Sequence, residues 1–171
     1  MIHRLRAWRP EWFGLPVAHL QAIHVCAAAG DPMDSIESIE AIAGSGLRGD
    51  RYATHRGHWH AVESCPVTLI TAPELQRASQ RRGRPIAPGE HRRNLVVSDW
   101  YRIPRQSGFL RIGEAILKIG RPRPPCGYLN QLVGDNLARA LGLDSGICLE
   151  VAHSGILRVG DRVSWHPGGP A

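Results

Sequence analysis

A proline-rich segment in the second half of the chain holds the residue best suited to chemistry. It reads Arg121-Pro122-Arg123-Pro124-Pro125-Cys126-Gly127, so three prolines stiffen the chain directly before a cysteine. Leu129, Leu132 and Val133 follow at the spacing of a helical turn, which places Cys126 near a helix start. A helix dipole and the two nearby arginines would favour the ionised thiol. Such a thiolate can ligate a soft metal, attack an electrophile or carry a persulfide; the alternative is a small buried core residue.

The other three cysteines give weaker signals. Cys26 and Cys148 lie in apparent strands, where core packing is the expected role. A zinc site could be drawn from a series of four residues, His55, His58, His60 and Cys65. Their spacing matches no standard structural-zinc pattern, so we prefer a solvated loop. Because no two cysteines have CxxC spacing and no secretory signal is evident, we expect reduced thiols.

Arginines and amides form a second group of candidates. In Arg92-Arg93-Asn94, two guanidinium forks and a carboxamide could grip a phosphate or the edge of a heterocycle. The alternative is that the arginines face water and Asn94 closes a turn. Similarly, Asp50 in Gly49-Asp50-Arg51 could simply cap a turn and pair with Arg51. The chain has no GxxxxGK[ST] or G-x-S-x-G motif. Residues 44–49 (GSGLRG) have the GxGxxG spacing, but they run into Arg51-Tyr52 and a His-rich loop instead of opening a helix, so nucleotide binding by this loop is unsupported.

The composition restricts the class of protein. The 171 residues suit one compact domain, and 43% apolar and 21% charged residues exclude wholesale disorder. The net charge is +6, and all basic residues except Lys118 are arginine, whose planar fork suits phosphate and carboxylate recognition. Because Lys118 is the one candidate for a Schiff base, no pyridoxal phosphate is expected in this chain.

The N-terminal region does not resemble a cleaved signal peptide. Arg4, Arg6 and Arg9 precede an apolar stretch, but Pro16 and several polar residues interrupt it. No apolar run approaches about 18 residues, so no membrane-spanning helix is expected. We therefore expect a cytoplasmic protein that does not enter a membrane.

Local patterns predict many short strands and a few short helices. Strands are expected at residues 20–27, 67–71, 94–98 and 147–152. Thr71-Ala72-Pro73-Glu74 has the spacing of a capping box, which predicts a helix that ends at Gly83. Residues 109–116 and 156–163 echo each other with a Gly-acid step, as in hairpins or strand corners. Residues 134–141 have helical spacing.

These elements predict a mainly β protein whose sheet is a closed or nearly closed barrel with a few short peripheral helices. A barrel hides the edges of many short strands economically. We expect an N-terminal extension at residues 1–19, a barrel domain at residues 20–166 and a C-terminal tail at residues 167–171.

Five segments, in order, resemble the MOSC domain, the family of the molybdenum cofactor sulfurase C-terminal domain. No single segment is specific, but the ordered set is, and it extends from about Leu20 to Val163. The sequence looks like a small stand-alone bacterial member without the pyridoxal-phosphate sulfurase domain of the large fusions. The segments are residues 46–52 (GLRGDRY), 67–70 (VTLI), 88–95 (PGEHRRNL), 125–126 (PC) and 155–161 (GILRVGD).

The resemblance implies a β-barrel and a site built around one cysteine, here Cys126. In the family that sulfur is thought to ligate the molybdenum of a pterin cofactor or to relay sulfur. The resemblance places four further residues at or near the cofactor: Arg51, Arg92, Arg93 and Asn94. We add Arg121 and Arg123, the two arginines that precede the cysteine. Many members have a bulky or charged residue after the cysteine, whereas this chain has Gly127 and then Tyr128.

Three functions follow as hypotheses. The first is a molybdenum-dependent oxidoreductase that reduces small N-hydroxylated compounds, with Cys126 as the metal ligand and an external electron donor protein. The second is a sulfur carrier that receives sulfur from a donor and relays a persulfide on Cys126. The third and most remote is a non-enzymatic nucleic-acid binder based on the positive charge, although no basic stripe interleaved with aromatic residues is present.

Overall fold

The computed structural model describes residues 17–59, 64–104 and 106–168. The expected extension at residues 1–19 therefore lies mostly outside the described residues, as does the end of the expected tail. The strands are β1 Leu20–Val25, β2 Asp34–Ile36, β3 Ser38–Ile42, β4 Gly46–Leu47, β5 Val67–Thr71, β6 Leu95–Val97, β7 Phe109–Ile112, β8 Ala115–Pro122, β9 Ile147–His153, β10 Gly155–Arg158 and β11 Val163–His166. The helices are α1 Ala72–Arg82, α2 Gly127–Val133 and α3 Leu137–Leu141. The expected mainly β class with short helices is confirmed.

Helix α1 begins and ends where the sequence predicts. The Thr71 side chain accepts a hydrogen bond from the backbone N–H of Glu74, and the Glu74 carboxylate accepts one from the N–H of Thr71. This is the predicted capping box, and it satisfies backbone donors that the first helical turn leaves free. Gly83 ends the helix at φ 80°, a left-handed conformation that glycine adopts without steric cost.

Most strands form one large sheet in the order β11-β7-β8-β9-β5-β6-β1-β2. All its pairings are antiparallel except β5 with β6, which are parallel because α1 connects them as a crossover. The two edge strands do not pair with each other, so the sheet is not closed into a complete barrel. A single bridge between His19 and Arg162 joins the chain before β1 to the chain before β11.

The alternation of side chains in β5 and β6 separates two cores. Val67 and Leu69 point into the main core, which includes the fully buried Trp165. Ile70 and Val96 point to the opposite face and pack against the three helices in a smaller cluster. Because Thr68 alternates with Leu69, its side chain also lies on the helix side of the sheet, and there it borders the candidate site.

The two sequence echoes form different structures, and one of them involves a second, smaller sheet. Its order is β10-β3-β4. The first echo is a hairpin of β7 and β8, whereas the second is a corner: β10 pairs with β3, and β11 leaves to pair with β7. The prediction of hairpins or strand corners is therefore met by one of each.

The expectation of four reduced thiols is wrong. Cys65 and Cys148 form a disulfide across 83 residues, and Cys26 and Cys126 are the two free cysteines. The pairing of β5 with β9 sets Thr68 opposite Cys148, which brings the start of β5 close to that cysteine. Cys65, one of the four residues from which a zinc site could be drawn, is occupied in this disulfide, and His60 of the same series lies outside the described residues. No group of three metal-binding side chains forms among the residues that the structure describes.

Candidate functional site

Cys126 stands at the rim of a pocket on the helix side of the sheet. It is the N-cap residue of α2, half-buried, in extended conformation at φ −130°. A Cβ added at Gly127 would meet no atom within 4 Å outside its chain neighbours, so the space beside this residue is open. With Cys126, the pocket is lined by Ala29, Arg51, Tyr52, His58, Trp59, Thr68, Arg92, Arg93, Arg123, Pro124, Tyr128 and Leu129.

Arg93 is a buried cation that makes no direct ion pair with a described carboxylate, and Glu74 acts on it only through a longer-range charge interaction. Its guanidinium donates to the backbone oxygen of Ser145 at 2.7 Å, to the Ser145 hydroxyl at 2.6 Å and to the backbone oxygen of His91 at 3.3 Å. Burial lowers the pKa of Arg93 to about 10, and the electrostatic interaction with Cys126 opposes this shift. The Arg93 side chain therefore stays charged at neutral pH.

Arg92 turns its side chain into the same pocket through an unusual backbone conformation. Its φ is 61°, in the left-handed region that costs a residue with a Cβ about 1 kcal/mol or more. The guanidinium donates to the Cys26 sulfur at 3.4 Å and to the backbone oxygen of Asp31. Burial lowers the pKa of Arg92, and the nearby charge of Arg51 lowers it further. Like Arg93, Arg92 pairs with no carboxylate among the described residues.

Asp50 holds Arg51 in place. The carboxylate is fully buried, and one of its oxygens accepts from the Arg51 guanidinium at 3.2 Å. The same oxygen accepts from the N–H of Cys26, and its neighbour accepts from the N–H of Tyr52. The sequence analysis offered the interpretation that Asp50 caps a turn and pairs with Arg51, and the structure shows both interactions. That pair also aims Arg51 at the pocket.

Cys26 is the site residue that sequence reasoning missed. Its sulfur lies 3.4 Å from a nitrogen of Arg51 and 3.4 Å from a nitrogen of Arg92. The side chain is 4% exposed, so it meets the expectation of burial, but its neighbours are two guanidiniums rather than aliphatic groups. Position in an apparent strand gave no signal of this, because the two arginines lie 25 and 66 residues away.

An aromatic pair stands beside the cysteine. The rings of His58 and Tyr128 stack with centroids 3.8 Å apart and planes 5° apart. His58 comes from the loop after β4, and Tyr128 from the first turn of α2. The stack therefore joins two segments that are distant in sequence at one wall of the pocket.

The structure separates the predicted cofactor-binding residues into two groups. Arg51, Arg92, Arg93 and Arg123 line the pocket together with Cys126. Asn94 is fully buried instead, where its side-chain oxygen accepts from the N–H and hydroxyl of Thr68. Arg121 is exposed and is not among the lining residues. Asn94 therefore positions β5 against the start of β6 rather than facing the pocket.

Two buried histidines, His24 and His91, meet next to the segment that contains Arg92 and Arg93. The His24 and His91 rings meet edge to face with centroids 5.1 Å apart, and both residues are at most 3% exposed. The His91 Nδ1 accepts from the N–H of Arg93, and the His24 Nδ1 lies 3.1 Å from the Ser35 hydroxyl. Burial lowers the pKa of His24; burial, then the charges of His24 and Arg93, lower the pKa of His91 well below its usual range.

We expect the protein to lose stability as the pH falls below about 6.5. Because both pKa values are lower in the folded than in the unfolded state, the unfolded chain binds more protons below that pH. The contribution is intact above pH 6.5, and each histidine removes up to about 1.4 kcal/mol per pH unit below it. Urea unfolding between pH 5 and 8 measures this slope.

Substitution controls identify the groups responsible. His91→Asn and His24→Gln should each flatten the slope, whereas His153→Gln, at an exposed histidine, should leave it unchanged. A slope that is the same in wild type and in both buried-histidine variants would contradict this assignment.

Comparison with known proteins decides the family. The MOSC domain profile matches residues 56–164, more than half of the chain. The chain belongs to the MOSC domain family. Among curated protein sequences, none matches it significantly.

Solved structures of low sequence identity share the MOSC fold. The YUAD protein from Bacillus subtilis is 17% identical, with a TM-score of 0.71 over 89% of this chain and 97% of that chain. YiiM from Geobacillus stearothermophilus is 14% identical, with a TM-score of 0.66 over 86% and 74%. YiiM from Escherichia coli is 14% identical, with a TM-score of 0.60 over 88% and 70%. In the described part of this MOSC domain, no helix has the length and apolar character needed to cross a membrane.

Proposed function

We propose that this MOSC domain binds a molybdenum cofactor at the arginine-lined pocket, with Cys126 as the protein ligand of the metal. The proposal extends to catalysis: a two-electron reduction of small N-hydroxylated compounds, supplied by an external electron donor. The single observation that supports it best is the free, half-buried thiol on a rim shared with four arginines. Membership of the MOSC family agrees with this cofactor.

The donor set suits the chemical character of the cofactor. A thiolate is the soft ligand that suits a metal already held by sulfur, and guanidiniums suit a phosphate or another anionic group. The pocket is partly open to solvent, and its innermost space has a volume of about 40 Å³, room for about three water molecules. Only a group of a few atoms would enter it, so the larger parts of a pterin cofactor would rest on the rim.

In this function the residues of the chain would bind and orient the cofactor and the substrate. Cys126 would hold the metal-bearing end, while Arg92 and Arg93 would neutralise anionic groups at low entropic cost because their guanidiniums are already fixed by protein contacts. The bound cofactor would supply the electrons that cleave an N–O bond, with the oxygen released as water. The open space beside Gly127 leaves room for a substrate next to the sulfur.

A sulfur carrier is the second candidate. The small enclosed volume favours it, because a persulfide adds one atom to Cys126 and needs no space for a pterin. In this function Cys126 would hold sulfur for delivery to another protein, and the arginines would stabilise the negative terminal sulfur.

Metal analysis of Cys126→Ser tests the first candidate. The protein is produced in cells that make the cofactor, and molybdenum and pterin are measured in the same purified sample, followed by N-hydroxy reduction with a chemical electron donor. We expect wild type to contain both and Cys126→Ser to lose most of the molybdenum and activity, because a hydroxyl is a poor ligand for a soft metal.

Leu132→Ser is the matched control. It introduces the same side chain on the same helix, at a position that does not line the pocket, so it should retain metal and activity. Wild type that contains no molybdenum, or Cys126→Ser with undiminished activity, would contradict the proposal.

A further inference from the structure

Two arginines of the pocket, Arg92 and Arg93, form no ion pair with a carboxylate of the described residues. Arg92 and Arg93 direct their guanidiniums to carbonyl oxygens, one hydroxyl and one sulfur, and Asp50 is the single carboxylate paired with Arg51. Arg93 is 5% exposed, so bulk water gives its charge little solvation. A buried charge without an opposite charge is costly, and an anionic ligand would remove that cost.

The pocket is partly open to solvent, and its innermost space, about 40 Å³, suits a small anion. Room for about three water molecules, or roughly 90 Å³ of liquid, suits an ion of four or five heavy atoms. A tetrahedral oxyanion is of this size, whereas a nucleotide or a pterin is several times larger. The thiol on the rim means that such an anion would lie directly beside a nucleophile.

We propose that the pocket accepts a small dianionic sulfane-sulfur donor, of which thiosulfate is the simplest, and that Cys126 takes its outer sulfur. This inference rests on the sulfur-carrier form of the proposed function and names the donor class that this form needs. The arginines would bind the sulfonate end, and the outer sulfur would face the free thiol.

The transfer step is balanced without an added oxidant. The Cys126 thiolate attacks the outer sulfur of thiosulfate, a new sulfur–sulfur bond forms, and the original one breaks. The bonding electrons leave with sulfite, which is a dianion, and Cys126 retains a persulfide anion. The guanidiniums stabilise charge that moves onto the leaving sulfite, as positively charged clamps do in other anion transfers.

The backbone of Arg92 is the second observation that supports a built anion site. A residue with a Cβ remains in the left-handed region at a cost only where its surroundings fix it. Here both terminal nitrogens of the guanidinium are held, one by the Cys26 sulfur and the other by the backbone oxygen of Asp31. Arg92 is therefore held ready for an anion before one arrives.

Persulfide formation on the metal-free protein tests the inference. The protein, with its Cys65–Cys148 disulfide intact and with Cys26 and Cys126 as thiols, is incubated with thiosulfate; sulfite release is measured, and peptide mass spectrometry locates added sulfur. We expect one sulfite per chain and one added sulfur on Cys126, with none on Cys26, the other free cysteine of the native chain, because its side chain is buried. Labelling on neither cysteine, or equally on both, would overturn the proposal.

A pair of arginine variants tests the role of charge. Arg92→Met should slow labelling by thiosulfate about ten- to hundredfold, since one charge-assisted contact is lost. Arg92→Lys keeps the charge and should recover part of the rate, which separates charge loss from misfolding. Arg111→Met, at an exposed arginine on β7, should label like wild type.

A monoanionic donor gives the last comparison. The methanethiosulfonate anion presents the same transferable sulfur with one negative charge fewer, so Arg92→Met should slow it less than it slows thiosulfate. Equal slowing of both donors, or no slowing of thiosulfate, would overturn the charge-selective site. Metal retention is measured separately, so failure of sulfur transfer with molybdenum present refutes this inference alone.

Discussion

Asp50→Asn is expected to destabilise the protein by about 3–5 kcal/mol, because it leaves Arg51 as a buried charge without its partner. The substitution keeps the volume of the side chain, so a cavity does not contribute. It also replaces one acceptor oxygen by a donor amide in a place where every neighbour, including the N–H of Cys26 and the N–H of Tyr52, is itself a donor.

The chain offers a matched control for this prediction. Glu40→Gln also removes the carboxylate partner of an arginine, Arg48, but the Arg48 side chain is 65% exposed and water replaces the contact. The expected cost is below about 1 kcal/mol. Urea unfolding followed by tryptophan fluorescence measures both variants. If Asp50→Asn cost no more than Glu40→Gln, the buried pair would not be the anchor of Arg51.

Loss of the disulfide is expected to cost up to about 4.5 kcal/mol, since the bridge closes a loop of 83 residues that the unfolded chain otherwise explores freely. The prediction concerns the double variant Cys65→Ala and Cys148→Ala, and equally the reduced wild type. Both are compared with oxidised wild type by urea unfolding.

The reductant itself supplies the control. It should lower the stability of wild type and leave the double variant unchanged, because Cys26 and Cys126 are already free. Reduced wild type and the double variant should then agree, apart from the two small cavities that alanine leaves. A wild type whose stability does not change on reduction would refute the prediction.

Local sequence patterns predicted the elements that depend on neighbours in the chain. The capping box at Thr71 and the glycine at residue 83 bound α1 because both signals act within one helical turn. Likewise, the apolar spacing after Cys126 predicted α2, and its bounds follow that spacing. The five MOSC-like segments added the family, which local patterns alone do not give.

Features that depend on distant pairings escaped prediction. The Cys65–Cys148 disulfide and the contact of Cys26 with two arginines both require the register of strands far apart in sequence. Asn94 stands beside Arg93 in sequence, yet it is fully buried, and its side chain forms hydrogen bonds with Thr68 and the Asp50 carboxylate instead of lining the pocket. Sequence adjacency to pocket residues therefore overestimated the number of side chains that face the pocket.

The walls of the pocket are contributed by the turn at Ala29, the loop at residues 51–59, the loop at residues 91–93 and the segment at residues 123–129. None of these can form the cavity alone, so it exists only when the sheet beneath has assembled. An anion that bridges these walls thus binds the native state and not the unfolded chain. At one hundred times its dissociation constant it would raise the free energy of unfolding by about 2.7 kcal/mol. Thermal denaturation midpoints measured with a panel of small anions would therefore rank candidate ligands directly.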